Sequence, residues 1–123
     1  KLNNVELRGF FPADEMDQMF QEFDALIINS SEETGPMTGV EAMAAGKLII
    51  STSVGAMQDR LGNERYIIGK SNTLSAVLAE ITILPTEDII AEKHRLRNNY
   101  LNKYSNDAIS KKIADLILEE NTI

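Results

Sequence analysis

The sequence predicts an α/β protein, with a parallel sheet that has helices on both faces and a helical C-terminal end. Two patterns support this class: short apolar runs alternate with helical segments in the first half of the chain, and the last third shows only helical periodicity. The length of 123 residues is enough for one domain with its own core. We therefore expect a single domain over residues 1–123.

Four segments have the pattern of β-strands. The first alternates apolar and polar side chains, and the later runs are almost wholly apolar, as in strands covered on both faces. The predicted strands are residues 5–10, 24–28, 48–51 and 66–68. A parallel sheet this small would leave a long exposed edge at the first strand or a neighbour. We therefore expect one or more βα units to precede this chain.

Six helical segments are predicted. The first opens at Pro12 with acids at its positive end, and its stripe of Met and Phe is typical of core packing rather than of a cofactor site. The second ends at Gly46, a residue type common just after a helix. Most of the others follow polar residues that can cap a helix. The segments start at Pro12, Thr38, Gly55 (a turn or short helix), Ser71 or Asn72, Thr86 and Ser105.

Composition excludes several kinds of function. The formal net charge of −7, without a stripe of Lys or Arg, opposes binding to nucleic acid. There is no cysteine, and the single histidine, His94, lies in a charged run typical of a solvated helix, so neither a histidine triad nor a zinc site is expected. No apolar run approaches the roughly 18 residues of a membrane span. We expect a cytoplasmic protein; a peripheral position at the inner face of the membrane stays open for the full-length protein.

The most informative segment is residues 30–46, S-S-E-E-T-G-P-M-T-G-V-E-A-M-A-A-G. It joins a predicted strand to a predicted helix, at the strand end where α/β proteins bind ligands. Gly35 and Pro36 form a turn that lets the backbone approach a ligand. At the helix start, Thr38 and Gly39 offer backbone N–H groups that favour phosphate.

Two carboxylates flank this helix start. Glu33 on the loop suits sugar hydroxyls, and Glu41, one turn into the helix, suits a vicinal diol such as a ribose. Together with the phosphate site they indicate a nucleotide sugar. Two other interpretations stay open on the residues alone. The acids can be partners of the helix dipole, beside Ser and Thr side chains that only cap, or the carboxylates can act as an acid–base pair.

The same run resembles the signature of the group 1 (family 4) glycosyltransferases of GT-B fold, S-x-x-E-x7-E-A-M-A-x-G, followed by a strand and a V-G-G turn. The matching residues are Ser30, Glu33, Glu41, Ala42, Met43, Ala44 and Gly46. Val54, Gly55 and Ala56 match the turn, with alanine in place of its second glycine, and Asp59 stands where an acidic residue usually follows.

The resemblance extends over roughly residues 3–118. Gly9 and Phe10 resemble the end of the family's strand that borders the nucleotide base, and Tyr104 with Ser105 resembles the start of its last helix. Lys47 stands where proline is frequent, which we interpret as a harmless loop substitution.

This resemblance implies the donor-binding, Rossmann-like C-terminal domain of a glycosyltransferase. Such an enzyme transfers a sugar from a nucleotide-diphosphate-sugar, typically with retention and without a metal or other cofactor. Glu33 would contact the donor sugar as the catalytic residue, Glu41 the ribose, and backbone amides between them the diphosphate. The implied donor-binding residues are Gly9, Phe10, Glu33, Gly35, Pro36, Met37, Thr38, Gly39 and Glu41.

The family's Arg/Lys pair for the diphosphate lies in the first βαβ unit, before the segment that matches Val5. We expect that unit and the N-terminal domain, which binds a polysaccharide or glycolipid acceptor, to be absent from this chain, so that the fragment alone is inactive. Two alternatives remain. A sugar-nucleotide epimerase shares the architecture but usually needs further His and acidic residues that this chain lacks. A non-catalytic nucleotide-sugar-binding or assembly module of the same fold is the other.

Overall fold

The computed structural model describes residues 3–69 and 72–120 and contains a three-stranded parallel sheet of order β1-β2-β3. The strands are β1 (Ala25–Ile28), β2 (Leu48–Thr52) and β3 (Ile67–Ile68). Ala25 pairs with Leu48 and Ile28 with Ser51, whereas β3 joins only the end of β2. The predicted α/β class with a parallel sheet and a helical C-terminal end is confirmed.

Six α-helices surround or follow this sheet in the described part of the chain. They are α1 (Met16–Gln21), α2 (Met37–Ala44), α3 (Met57–Leu61), α4 (Leu74–Ile83), α5 (Thr86–Lys103) and α6 (Asn106–Glu120), with 3₁₀ turns at Ala13–Glu15 and Glu64–Tyr66. The helices α2 and α3 form the crossover connections that neighbouring parallel strands require.

The core lies around β2. Its residues Leu48, Ile49, Ile50 and Ser51 are all at most 2% exposed. Because successive side chains of a strand point to opposite faces, both faces of this central strand are covered. Three helices, α2, α3 and α5, contact β2, and α5 also packs along α2. This packing fixes the position of α2, whose N-terminus carries the predicted site.

The prediction of a strand at residues 5–10 is wrong. This segment has no strand, and Leu7 and Phe10 are 96% and 91% exposed. An alternating pattern forms a strand only where a neighbouring strand is available, and within the described residues β1 pairs with β2 alone. For the same reason β1 is not covered on both faces, since Ile27 is 41% exposed.

Two predicted helix caps are also corrected. The hydroxyl of Thr73, rather than Asn72, accepts a backbone N–H at the start of α4, while Ser71 lies outside the described residues. Thr86 is the first helical residue of α5 and does not cap it, because Pro85 occupies the cap position and makes no side-chain bond there. These shifts of one or two residues leave the order of elements unchanged.

Candidate functional site

The N-terminus of α2 has no side-chain cap. The helix begins at Met37 directly after Pro36, which makes no capping bond. The N–H of Gly39 donates to the Pro36 carbonyl over 3.1 Å. The N–H groups of the first helical residues have no partner inside a helix, so those of Met37 and Thr38 remain for solvent or a ligand. Together with the helix dipole, they make this end suitable for an anion.

Both motif glutamates are exposed near this helix end. Glu33 lies on the loop before it and accepts a hydrogen bond from the Ser30 hydroxyl over 3.3 Å. Glu41 lies four residues beyond Met37, roughly 6 Å along the helix axis at 1.5 Å per residue. Two exposed carboxylates therefore lie before and after the uncapped helix start.

Glu41 also lines a cavity of about 570 Å³ between α1 and α2. This volume is within the range of small-molecule sites. The wall formed by α1 and the 3₁₀ turn before it contains both apolar and polar side chains. The side chains that define it include Ala13, Met16, Asp17, Phe20, Gln21 and Glu41. The rest of the lining comes from the C-terminal end of α2, at Ala44, Ala45 and Lys47, so Glu41 is the lining residue nearest to the start of that helix.

Gly9 and Phe10 are not part of this cavity. Gly9, at φ +70°, lines a separate cavity of about 360 Å³ together with Phe11 and Phe23. The side chain of Phe10 is almost fully exposed. Ala13 and Met16 do line the Glu41 cavity, but the sequence did not indicate them as donor-site residues, and it assigned the stripe that contains Met16 to the core. Only their place just after the matched glycine could have indicated them.

Packing behind the site explains the glycines at positions 35 and 39, the first in the loop and the second in α2. A Cβ on Gly39 would lie 2.8 Å from the Met57 sulfur and 3.4 Å from Ile28. A Cβ on Gly35 would lie 3.2 Å from the Arg60 guanidinium. Glycine at these positions lets α2 and its loop approach the sheet and α3 closely.

The end of β2 and the turn after it hold the loop of residues 29–36. The Thr52 hydroxyl donates to the Ser30 carbonyl over 2.7 Å. Gly55 has φ +51°, and a Cβ there would lie 2.5 Å from the Thr34 carbonyl carbon and 2.9 Å from the Glu33 carbonyl oxygen. Only glycine fits this approach. Ala56, which replaces the second glycine of the family turn, has φ −84°, a conformation that alanine adopts without strain.

Lys47 takes part in the C-terminal cap of α2. Gly46, at φ +64°, and Lys47 donate their N–H groups to the Met43 and Ala42 carbonyls over 3.0 and 2.9 Å. This is the Schellman arrangement, in which a proline at position 47 would remove one bond. The Lys47 ammonium lies 6.0 Å from the centre of the Phe23 ring.

Arg60 on α3 is the contact of the loop that sequence reasoning missed. Its guanidinium donates to the Pro36 carbonyl over 2.9 Å, directly at the start of α2. Nothing in the sequence indicated this role, since the two residues are 24 positions apart.

The described residues offer neither a metal site nor a membrane-spanning helix. Residues 3–69 and 72–120 contain no cluster of three or more His, Asp or Glu side chains placed to hold a metal ion. In the same residues no helix combines the length and apolar character needed to cross a bilayer. His94 is exposed on α5, as its charged surroundings predict.

The family of this chain follows from comparing its sequence with those of known protein families. Residues 1–102 of the 123 match the model of the glycosyl transferases group 1. The chain belongs to this family. The match contains the loop, α2 and the turn at Gly55, and it ends within α5, before Tyr104 and Ser105. Comparison with curated proteins gives no match.

Proposed function

We propose that this group 1 glycosyltransferase chain forms one side of the donor site of a GT-B enzyme of family 4. The donor is a nucleotide-diphosphate-sugar, and the enzyme transfers the sugar to a polysaccharide or glycolipid with retention and without a metal. Glu41 binds the ribose, the α2 N-terminus the diphosphate, and Glu33 the sugar. The observation that carries this proposal is the uncapped start of α2 between two exposed carboxylates, one of which opens onto a cavity.

The order of the groups along the site supports this assignment. The cavity next to Glu41 has a partly apolar wall and fits a nucleoside base, with the ribose hydroxyls at the carboxylate. The N–H groups of Met37 and Thr38 lie between the two glutamates along the chain, where the diphosphate of such a ligand would lie. Glu33, on the far side of this helix start, is then left for the sugar.

The same geometry supports the chemistry of transfer. Negative charge builds up on the diphosphate as the glycosidic bond breaks. A preformed helix N-terminus stabilises such charge without rearrangement. The loop is held by Thr52 and Gly55 before any ligand arrives, so little ordering is required on binding.

Donor binding is tested with UDP, GDP and their sugar conjugates, by ligand-observed NMR and calorimetry, on the chain and on Glu41→Gln. A hydrogen bond to a charged group contributes about 1.5–3 kcal/mol, so we expect the nucleotide that binds to lose on the order of tenfold in affinity in this variant. Glu33→Gln should leave the affinity for the nucleoside diphosphate unchanged and weaken only that for the sugar conjugate.

Glu32→Gln is the matched control, because Glu32 is exposed on the same loop and loses the same charge. It should bind every ligand as the unchanged chain does. Equal affinities in Glu41→Gln and the unchanged chain would contradict the proposed ribose contact.

We further propose that the acceptor binds to a separate domain and that the enzyme works in the cytoplasm. On this proposal residues 1–123 bind donor without transferring sugar, and transfer needs the longer protein. A radiolabelled-sugar transfer assay on both forms tests this. Donor binding without transfer by the longer protein would favour a non-catalytic module instead.

A further inference from the structure

The guanidinium of Arg60 lies directly behind the loop proposed to bind the diphosphate. It donates to the Pro36 carbonyl over 2.9 Å, and it would lie 3.2 Å from a Cβ on Gly35. Pro36 is the residue immediately before α2, so this bond is made at the point where the helix begins. A small displacement of Arg60 would therefore move the first N–H groups of α2.

Arg60 is itself held from the opposite side. The centre of the Tyr104 ring lies 5.9 Å from its guanidinium carbon, within the range of a cation–π contact. The side-chain amide of Asn99 donates to the backbone carbonyl of Arg60 over 2.9 Å. The Arg60 guanidinium therefore contacts both the loop, at Pro36, and Tyr104, which lies between α5 and α6.

The positive charge of Arg60 is not neutralised locally. No carboxylate forms an ion pair with it in residues 3–69 and 72–120, and its buried Nε–H has no hydrogen-bond partner there. The guanidinium group carries a delocalised positive charge. Its field therefore adds to that of the α2 dipole at the loop, and both favour a bound anion.

We propose that Arg60 is a positioning residue for donor binding. It keeps the Pro36 carbonyl, and with it the first N–H groups of α2, in the geometry that receives the diphosphate, and it adds positive charge behind the loop. This inference rests on the proposed function. It predicts a selective effect, because the nucleoside part of the ligand binds at the Glu41 cavity and does not depend on the loop.

The test compares a nucleoside diphosphate with its own nucleoside, UDP with uridine and GDP with guanosine, by calorimetry on Arg60→Met and Arg60→Lys. Arg60→Met removes the donor groups and the charge while keeping much of the volume. We expect the diphosphate to bind about tenfold more weakly and the nucleoside to change by less than about twofold. Arg60→Lys keeps the charge and a single donor nitrogen, so the loss of affinity for the diphosphate should be smaller, about threefold.

Arg95→Met is the matched control, because Arg95 also donates to a carbonyl of α3, that of Leu61, but does not contact the loop. It should lower stability and leave both affinities unchanged. Unchanged diphosphate affinity in both Arg60 variants, or an equal loss for nucleoside and diphosphate, overturns the positioning role. Failure of the proposed function gives a different result: the unchanged chain binds no nucleotide, or Glu41→Gln binds as tightly as the unchanged chain.

Discussion

The loop of residues 29–36 and the segment of residues 3–12 both lead into a helix, and they differ in what holds them. The loop is bonded to Thr52, crowded by Gly55 and bonded again to Arg60. The segment is held by ion pairs of Arg8 at its surface, and Leu7 in its middle is 96% exposed. Contacts with neighbouring elements, more than the local sequence, therefore distinguish the two regions.

This difference bears on function. A loop that is already in place loses little conformational entropy when it binds a diphosphate, and the N–H groups that follow it are oriented before binding. A segment with few packed neighbours has to be ordered by whatever it binds. Three pairs of matched residues test this comparison, each with one member in the packed elements that follow the loop in the chain and the other in residues 3–12.

The largest difference is expected between two leucines. Leu61 on α3 is 1% exposed, whereas Leu7 is 96% exposed. Leu61→Ala leaves a cavity in the core and should lower the free energy of unfolding by about 3 kcal/mol, within the range for buried leucines. Leu7→Ala should change it by less than about 0.5 kcal/mol. Urea denaturation followed by circular dichroism measures both. A cost above about 1 kcal/mol for Leu7→Ala would show that residues 3–12 are packed after all.

A second pair of matched residues separates backbone strain from crowding. Gly55 and Gly9 have φ +51° and +70°, both in the left-handed region. A Cβ on Gly55 meets the carbonyl groups of the loop, but nothing in residues 3–69 and 72–120 lies within 4 Å of one on Gly9. Gly9→Ala should therefore cost only the left-handed conformation, about 1 kcal/mol, and Gly55→Ala about 2–3 kcal/mol because the loop must also move.

The Gly55 variant should also weaken nucleotide binding, whereas the Gly9 variant should leave it unchanged if the separate cavity at Gly9 takes no part in the donor site. Thermal unfolding and UDP or GDP titrations check the two effects. Equal destabilisation by the two variants would mean that the loop yields easily at Gly55.

The sequence predicts the central part of the fold well, because its signals are local. The apolar runs around Ile27, Ile49 and Ile67 correspond to the three strands, and Gly46 ends α2 as expected. The motif of residues 30–46 places Glu33 and Glu41 on a loop and a helix start, as the structure does. Each of these features depends on residues within about one turn or one strand of each other.

What could not be predicted depends on contacts between distant residues. Residues 5–10 have the pattern of a strand but no neighbouring strand to pair with in the described part of the chain. Arg60 meets Pro36 across 24 positions, and no local pattern announces such a bond. The cavity next to Glu41 depends on how α1 packs against α2, so its lining at Met16 follows only from the three-dimensional arrangement.

The smallest of the three expected destabilisations is tested with two arginines that each bond to carboxylates. Arg95 donates to both oxygens of Glu92 over 2.7 and 2.8 Å and also to the Leu61 carbonyl at the end of α3. Glu92 is only 8% exposed, and the hydrogen bond to it raises the pKa of Arg95 above its ordinary value. Arg8 pairs with Glu6 and Glu22, and all three side chains are largely exposed.

Arg95→Met leaves the Glu92 carboxylate buried without its cation and should lower the free energy of unfolding by about 2 kcal/mol, less than a fully buried pair because Arg95 itself is partly exposed. Arg8→Met should give no measurable change, since water replaces the lost partners at an exposed pair. Urea midpoints at low and high salt distinguish the two cases, because screening weakens exposed pairs far more than buried ones. If Arg8→Met destabilised the protein as much as Arg95→Met, residues 3–12 would be fixed to α1 through Glu22, and the contrast between the held loop and the loosely attached segment would fail.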